Sequence, residues 1–439
     1  MTTLAARARA WFKLDRHDVR STVNPTIRAM LQNGILDRLF QEALRPEFIF
    51  PALADVQPWM ANMGDTKTFT RKGLISPATA PITGSDTSPA SYGIEQWSVV
   101  MDQYGLAVDT NMLHSAMALA DKYAADVATL GINAGQSLNR IARDKLYKAY
   151  AGGRTWVRTA AGSDTSMQVQ STDGFTHVLV NGVPTPVSAS NPLTVSIEGV
   201  ANTVTGVDTT TRTLTLGTAR ADVLGDTVIA ANAPFSVRGG TSKETAFDLA
   251  SGDKATFKLF RAAVTRLRKM NVPTIGGYYV AHIDPDTESQ LFDDSDFKQA
   301  LQGRVDSPIY TDLSIGRFGG IDWVRNNECP VVATGTDGTT VESHRAIVIG
   351  GDCLVAAPFE NFGQLLSGSG VEDVPEIRMV DAAPGTQVAV IVRPPTDRLQ
   401  QTLSTSWSWV GDYGVPSDSL ANNDPALFKR AVVVEHSAS

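Results

Sequence analysis

Hydrophobic side chains along this chain change their period several times, and each change marks an element. In NPTIRAMLQNGILDRLFQEALR, Ile27, Met30, Leu31, Leu36, Leu39 and Phe40 fall at broadly helical spacing interrupted near Gly34, which predicts a short amphipathic helix. From Gly64 to about Ser98 the apolar content drops and Thr, Ser, Pro and Gly take over. There Thr66, Thr68 and Thr70 alternate with Lys67, Phe69 and Arg71, a two-residue period that predicts an exposed two-stranded ribbon. Residues 110–150 then carry Leu113, Ala116, Met117, Ala120, Tyr123, Ala124, Val127, Leu130, Ala134, Leu138 and Ile141 at i, i+3, i+4, i+7 spacing. That predicts a rod of about 36 helical residues, roughly 50 Å long. Gly131 and Gly135 are expected to weaken it midway, and Gly152-Gly153 to end it.

Past the glycine pair the pattern turns to short strands. No lysine occurs between Lys148 and Lys243, and HVLVNGVPTPV holds an Asn181-Gly182 hairpin signal. TVSIEGV, TRTLTLG and DTVIAAN read as strands between turns, so Arg154 to about Gly240 is expected to be an inserted all-β module, a small barrel or sandwich. Helical spacing returns with Phe257, Phe260, Ala263, Val264 and Leu267 on one face, closed by Pro273. The rest alternates strand and helix: GYYVAHI, a helix begun at Asp284-Pro285, then GIDWVRNN, RAIVIGG, QVAVIVR and LSTSWSWV, an α/β or α+β body.

Composition sharpens one element above the others. Ordering backbone costs roughly 1–2 kcal/mol per residue, and the Thr- and Ser-rich ribbon has too few apolar side chains to offset that against itself. It is therefore expected either to be disordered or to lie on another subunit. The 439 residues carry a net charge of −8, which argues against a dedicated nucleic-acid binder. Residues 1–45 are the exception, with eight basic and four acidic side chains, a net of +4. Such an arm is either a solvated terminus or a contact for something acidic. No segment approaches the roughly 18 continuous apolar residues of a membrane span. The start has no secretory h-region; its Arg-rich, amphipathic character leaves an organellar transit peptide as a lesser reading.

Candidate chemistry is sparse. Gly316, Gly319 and Gly320 in SIGRFGGIDWVRNN fit neither a P-loop nor GxGxxG, and they lead into a strand, so they are expected to form a structural turn. The acidic run Asp284, Asp286, Glu288, Asp293, Asp294 and Asp296 lacks the glycine of a calcium loop. Asp284 reads as a helix N-cap and the others as a solvated face. His17, His114, His177, His282, His344 and His436 are scattered, with no HxH or HExxH spacing, and no GxSxG elbow occurs. Cys329 and Cys353 sit beside apolar runs and read as buried thiols, a single bridge between them being left open. The sequence gives no positive sign of an enzyme, cofactor or metal.

Taken in order, the chain resembles the major capsid proteins of tailed bacteriophages, the Hong Kong 97-type fold. The resemblance is carried by YYVAHIDPDTESQLFDD, a strand, Asp-Pro and short helix, and by the glycine turn of IYTDLSIGRFGGIDWVRNN. It implies an α+β fold with an N-terminal arm (1–55), an extended β-ribbon loop with flanking peripheral-domain strands (56–110) and a spine helix (111–152). It further implies an inserted β domain (153–241), an axial domain (242–398) and C-terminal peripheral-domain strands (399–439). It also implies a non-enzymatic protein of the virion, made in the host cytoplasm, that assembles with itself as pentamers and hexamers around packaged double-stranded DNA. Portal, scaffold and decoration proteins are implied partners, contact with DNA is weak and non-specific, and no membrane is involved. Lys67, Phe69, Arg71, Tyr92 and Trp97 in the ribbon are the expected inter-subunit contacts, with a lysine crosslink from Lys67 or Lys72 a lesser expectation. Two alternatives stand beside this reading: a cellular nanocompartment shell of the same fold, and a β-rich adhesin or carbohydrate-binding protein.

Overall fold

The computed structural model describes residues 35–60, 64–72, 75, 77–79, 86, 89–90, 92–111, 122–181, 183–231, 233–302, 316–334, 341–360, 362, 376–393, 395, 397–399, 401–416 and 430–438. Two compact units are built from interleaved stretches. The first takes the chain up to Lys67 together with Val99–Ala142 and Ala356–Tyr413; the second takes Thr68–Ser98, Arg143–Val355 and the chain from Gly414. The α+β class expected from the sequence is observed.

The first unit opens with helix α1 (Ile35–Leu44), which buries Leu36, Phe40 and Leu44 at four-residue steps. Ile27 to Leu31, the earlier half of the amphipathic segment, lie outside the described residues. Strands β1 (Asp55–Val56) and β4 (Asp102–Asn111) also belong to it, while β2 (Thr66–Lys72) and β3 (Ile94–Val100), between them in the chain, fall mostly in the second unit. The long helix α2 then runs over Lys122–Tyr150, 29 residues, or about 43 Å. Its expected start at residue 111 is corrected, because Asn111 is the last residue of β4, held by strand pairing to Thr402. Residues 112–121 lie outside the described residues.

Gly131 and Gly135 do not weaken α2 midway, and the reason is packing. A Cβ on Gly131 would stand 2.7 Å from the carbonyl oxygen of Phe40, and one on Gly135 2.7 Å from that of Leu44. One turn apart on the same face, the two glycines let the backbone of α1 settle directly onto α2. Each forfeits about 1 kcal/mol of helix propensity relative to Ala, which the close approach offsets. One turn further on, buried Asn139 accepts hydrogen bonds at its Oδ1 from the backbone N–H groups of Phe50 (2.8 Å) and Ile49 (3.3 Å). A polar side chain is kept inside because it satisfies donors that would otherwise be stranded.

In the second unit the inserted module is a barrel. Strands β5 (Arg154–Trp156), β6 (Ala161–Gln168), β7 (His177–Val180), β8 (Val183–Pro186), β9 (Leu193–Ile197), β10 (Val200–Asp208), β11 (Thr213–Asp222) and β12 (Thr227–Ala230) succeed one another. Six of them pair in the order β5-β12-β9-β10-β11-β6. The two edge strands then meet through the Val157–Val169 bridge, which joins the sheet's ends there. Met167, Val169, Leu193, Val195, Ile197, Val204, Leu214 and Val228 fill the interior. β7 and β8 form the hairpin expected at Asn181-Gly182, with Asn181 at φ 52°.

The module ends earlier than expected. β13 (Ser236–Arg238) pairs in parallel with the C-terminal strand and not with the barrel. Helix α3 (Phe257–Lys269), β14 (Tyr279–Ile283), α4 (Pro285–Asp293), α5 (Ser295–Gln302), β15 (Arg317–Phe318), β16 (Ile321–Arg325), β17 (Val331–Thr334), β18 (Val341–Ile349), β19 (Val355–Pro358), β20 (Glu376–Ala383), β21 (Thr386–Arg393), β22 (Thr402–Gly414) and β23 (Ala431–Ser437) complete the chain. A mixed sheet of order β13-β23-β18-β14-β16-β15, with β17 beside β18, carries α3 on its apolar face.

Two expected boundaries are corrected here. β20 and β21, placed by the sequence in the same body as β14 and β16, pair instead with β22 in the first unit's sheet, β1-β19-β22-β21-β20. β23, expected among the C-terminal strands of the first unit, lies between β13 and β18 of the second. Its AVVVEHS run is buried at every position, as a strand covered on both faces requires. β22, which carries TLSTSWSWV, pairs along its length with β4, the strand that follows the ribbon.

Gly135→Ala gives a test of sign. On an exposed helix this change stabilises by about 1 kcal/mol. Here it is expected to destabilise by about 1–3 kcal/mol through overpacking against Leu44, read as a lower urea midpoint.

Candidate functional site

Strands β2 and β3 form the two-stranded ribbon. Its inner face is apolar and short: the Phe69 and Trp97 rings stack with centroids 5.7 Å apart, and the Arg71 guanidinium lies over Trp97 at 5.3 Å. Arg71 also donates to the carbonyl oxygen of Asp352 at 2.9 Å. Phe69 and Trp97, expected to meet a neighbouring subunit, are buried within their own chain at 7% and 5% exposure and serve as the ribbon's anchor. Lys67 donates to the carbonyl oxygens of Pro58 (3.0 Å) and Gln57. Tyr92 is exposed, with the Lys72 ammonium 5.8 Å from its ring. On the outer face Ile94 and Val100 are exposed, and Ile75 beyond the strands is exposed as well. The sequence therefore located the ribbon, while the side chains it offers outward are Tyr92, Ile94 and Val100.

The three turn glycines divide by role. Gly316, Gly319 and Gly320 have φ of 59°, 66° and 83°, a region that side chains with a Cβ enter at a cost. A Cβ on Gly319 would meet the Phe257 ring at 2.8 Å, and one on Gly320 the Arg268 guanidinium at 2.7 Å, while Gly316 faces open space. The close approach is thus of side chains from α3. The turn aims Ile321 and Trp323 of β16 into the core beside Phe260.

The sequence missed two buried polar clusters on the mixed sheet. In one, Glu435 of β23 is paired with Arg238 of β13 (2.6 Å) and Arg345 of β18 (2.8 Å). Burial alone would raise the Glu435 carboxyl, but the two guanidinium charges outweigh it and hold it below the ordinary range. In the other, Asp284 caps α4 by position, yet its side chain makes no capping bond to the helix backbone and instead meets His344 and the Thr287 hydroxyl. That hydroxyl also lies 2.7 Å from Nε2 of His436, whose Nδ1 donates to the Ser437 carbonyl oxygen at 3.0 Å. The hydrogen bond to Asp284 raises His344 against the pull of burial. For Asp284 burial pushes upward, and the bonds from His344 and Thr287 outweigh it and lower its pKa. Burial lowers His436, and it lowers His282 to about 3. Sequence separations of 60 and 149 residues hid this cluster; the pairing of β18 with β23 puts His344 opposite His436.

Reactive chemistry finds little footing. Cys329 and Cys353 are free and buried, and burial pushes both thiols up to about 12, so neither is a poised nucleophile. Among the described residues, Asp284, Asp286 and His344 bring three possible metal ligands within 4.8 Å of one another. No helix among the described residues is long and apolar enough to cross a membrane.

No family model and no curated protein sequence matches the chain. Among solved structures it is similar to the capsid of Ralstonia phage GP4, at 13% identity over 88% of this chain and 87% of that one, TM-score 0.49. It is similar to the cyanophage Pam1 capsid at 12% identity over 90% and 92% of the two chains, TM-score 0.47. It is also similar to the capsid of cyanophage P-SCSP1u at 11% identity over 88% and 87%, TM-score 0.46.

Two predictions follow from the turn and the triad. Gly319→Ala should lose about 2–4 kcal/mol, combining overpacking with backbone strain. Gly316→Ala should lose only about 1–2 kcal/mol, from strain alone; equal losses would contradict the assignment. Glu435→Gln strands two buried guanidinium groups and should cost about 3–5 kcal/mol in chemical denaturation. Because the folded Glu435 pKa lies below its ordinary value of 4.5, its contribution is complete above that pH and is lost as pH falls through the folded value. The wild type should therefore lose more stability than Glu435→Gln on acidification below about pH 4.5.

Proposed function

We propose that this chain is a self-assembling shell protein of the Hong Kong 97 type, the major capsid protein of a tailed phage, enclosing packaged double-stranded DNA. The observation that carries the reading is the ribbon. Its inner face is spent on Phe69 and Trp97, while Tyr92, Ile94 and Val100 stay exposed on a two-stranded element. Two strands alone are marginal in water, so such a ribbon is stabilised by a surface laid beneath it, and a second copy of the chain supplies one. The order of elements supports the same reading: helix, ribbon, long helix, barrel, mixed sheet, and a late strand paired with β4, the strand that follows the ribbon in the chain.

In this reading subunits meet as pentamers and hexamers, through interfaces of about 1,600 Å² each. Many such contacts in a closed shell hold collectively. The acidic chain, with net charge −8, lets DNA move along the inner wall, and only the arm's net charge of +4 meets the genome. Portal, scaffold and decoration proteins are its partners, and assembly takes place in the host cytoplasm. The carbohydrate-binding alternative needs exposed aromatic platforms. In the inserted module Trp156 and Phe175 are buried.

The test is sedimentation velocity of the purified chain beside a variant carrying Tyr92→Ser, Ile94→Ser and Val100→Ser. The wild type should form particles of megadalton size. The variant should keep its circular dichroism and thermal midpoint, yet remain small. Unchanged particles in the variant would remove the ribbon from assembly, and a 46.9 kDa monomer under every condition would reject the shell.

A further inference from the structure

His344 occupies a setting that the shell reading does not use. Its side chain is only 5% exposed, and its Nδ1 faces the Asp284 carboxylate. Nε2 is shielded from solvent and has no hydrogen-bond partner among the described residues. It is directed at the Asp286 carboxylate, whose Oδ2 lies 3.9 Å away and whose side chain is 68% exposed. A buried ring nitrogen is thus aimed across a gap at an acidic group that opens to water on its far side.

From this we infer that His344 Nε2 and the Asp286 carboxylate bind a divalent transition cation of the zinc, cobalt and nickel class, with water completing the shell. Asp284 is the outer carboxylate that fixes the ring. A carboxylate on the far nitrogen is the usual support of a metal-bound histidine, because it sets the tautomer and the ring angle together. Here that support is itself fixed, since the second oxygen of Asp284 is held by Thr287.

The separation fits an ion. Zinc stands about 2.0–2.2 Å from imidazole nitrogen and carboxylate oxygen, so tetrahedral ligands lie about 3.4 Å apart. The exposed Asp286 side chain has to close by only about half an ångström to reach that span. A direct charged hydrogen bond between the two groups would instead have drawn them to about 2.7–2.9 Å. Charge agrees as well: with a neutral ring, two carboxylates balance one divalent ion. One nitrogen among the donors selects against magnesium and calcium, which take oxygen ligands.

The test is isothermal titration of the full-length chain, freed of metal with EDTA, using Zn²⁺. One saturable site per chain is expected. Asp286→Asn should weaken it at least about tenfold, with the thermal midpoint in EDTA unchanged because the side chain is exposed. His344→Gln should abolish the site, His177→Ala should leave it intact, and Mg²⁺ should not compete. Absence of saturable binding up to about 1 mM Zn²⁺ would overturn the inference, as would the same affinity and site count in Asp286→Asn. A thiolate absorption band on Co²⁺ loading would also overturn it, by moving the ion to Cys329.

Discussion

A two-stranded element with one buried face too small to hold it is the constraint on which this protein's behaviour depends. Ordering a ribbon costs roughly 1–2 kcal/mol per residue, and burial of a large side chain returns about 1.5–3 kcal/mol. Phe69 and Trp97 anchor its base, and the exposed Tyr92, Ile94 and Val100 are left to be covered by something else. A second copy of the same chain is the cover that needs no further component. Self-association is the proposed answer to that deficit, and the shell reading is its geometric extension.

The rest of the molecule is held by close backbone packing and buried polar contacts. In the first unit, the glycine pair of α2 and the Asn139 side chain fix α1 and the segment after it by close backbone contact. In the second, three strands distant in sequence are locked together by one carboxylate between two guanidinium groups. A buried triad of this kind contributes little net stability against an apolar substitute, but a missing member is heavily penalised. Such a cluster specifies which strands pair. The central position of β23 makes that useful, since β13 joins the sheet only through β23.

Much of this was legible in the sequence because it rests on local periodicity. The ribbon, the long helix, the barrel with its Asn181 hairpin and the β22 return strand all announce themselves by period two or period 3.6. What stayed hidden depends on pairing across long separations. The AVVVEHS run reads as a buried strand but does not say which sheet receives it. QVAVIVR likewise gives no sign that it belongs with β22 and not with β14. Gly131 and Gly135 look like defects in a helix until the backbone of α1 is seen against them. His344 and His436 match no spacing motif because strand register, not sequence distance, sets them opposite each other. Alternation gives the ribbon two faces without saying which one is covered, so the burial of Phe69 and Trp97 is not legible in it.

The most direct measurement is a cryo-electron microscopy reconstruction of the particles formed by the purified chain, resolved well enough to trace β2 and β3. The account predicts a closed shell in which the exposed face of each ribbon, at Tyr92, Ile94 and Val100, is covered by a neighbouring copy. Particles whose ribbons touch no neighbour, or a chain that stays monomeric with the ribbon folded onto itself, would contradict it.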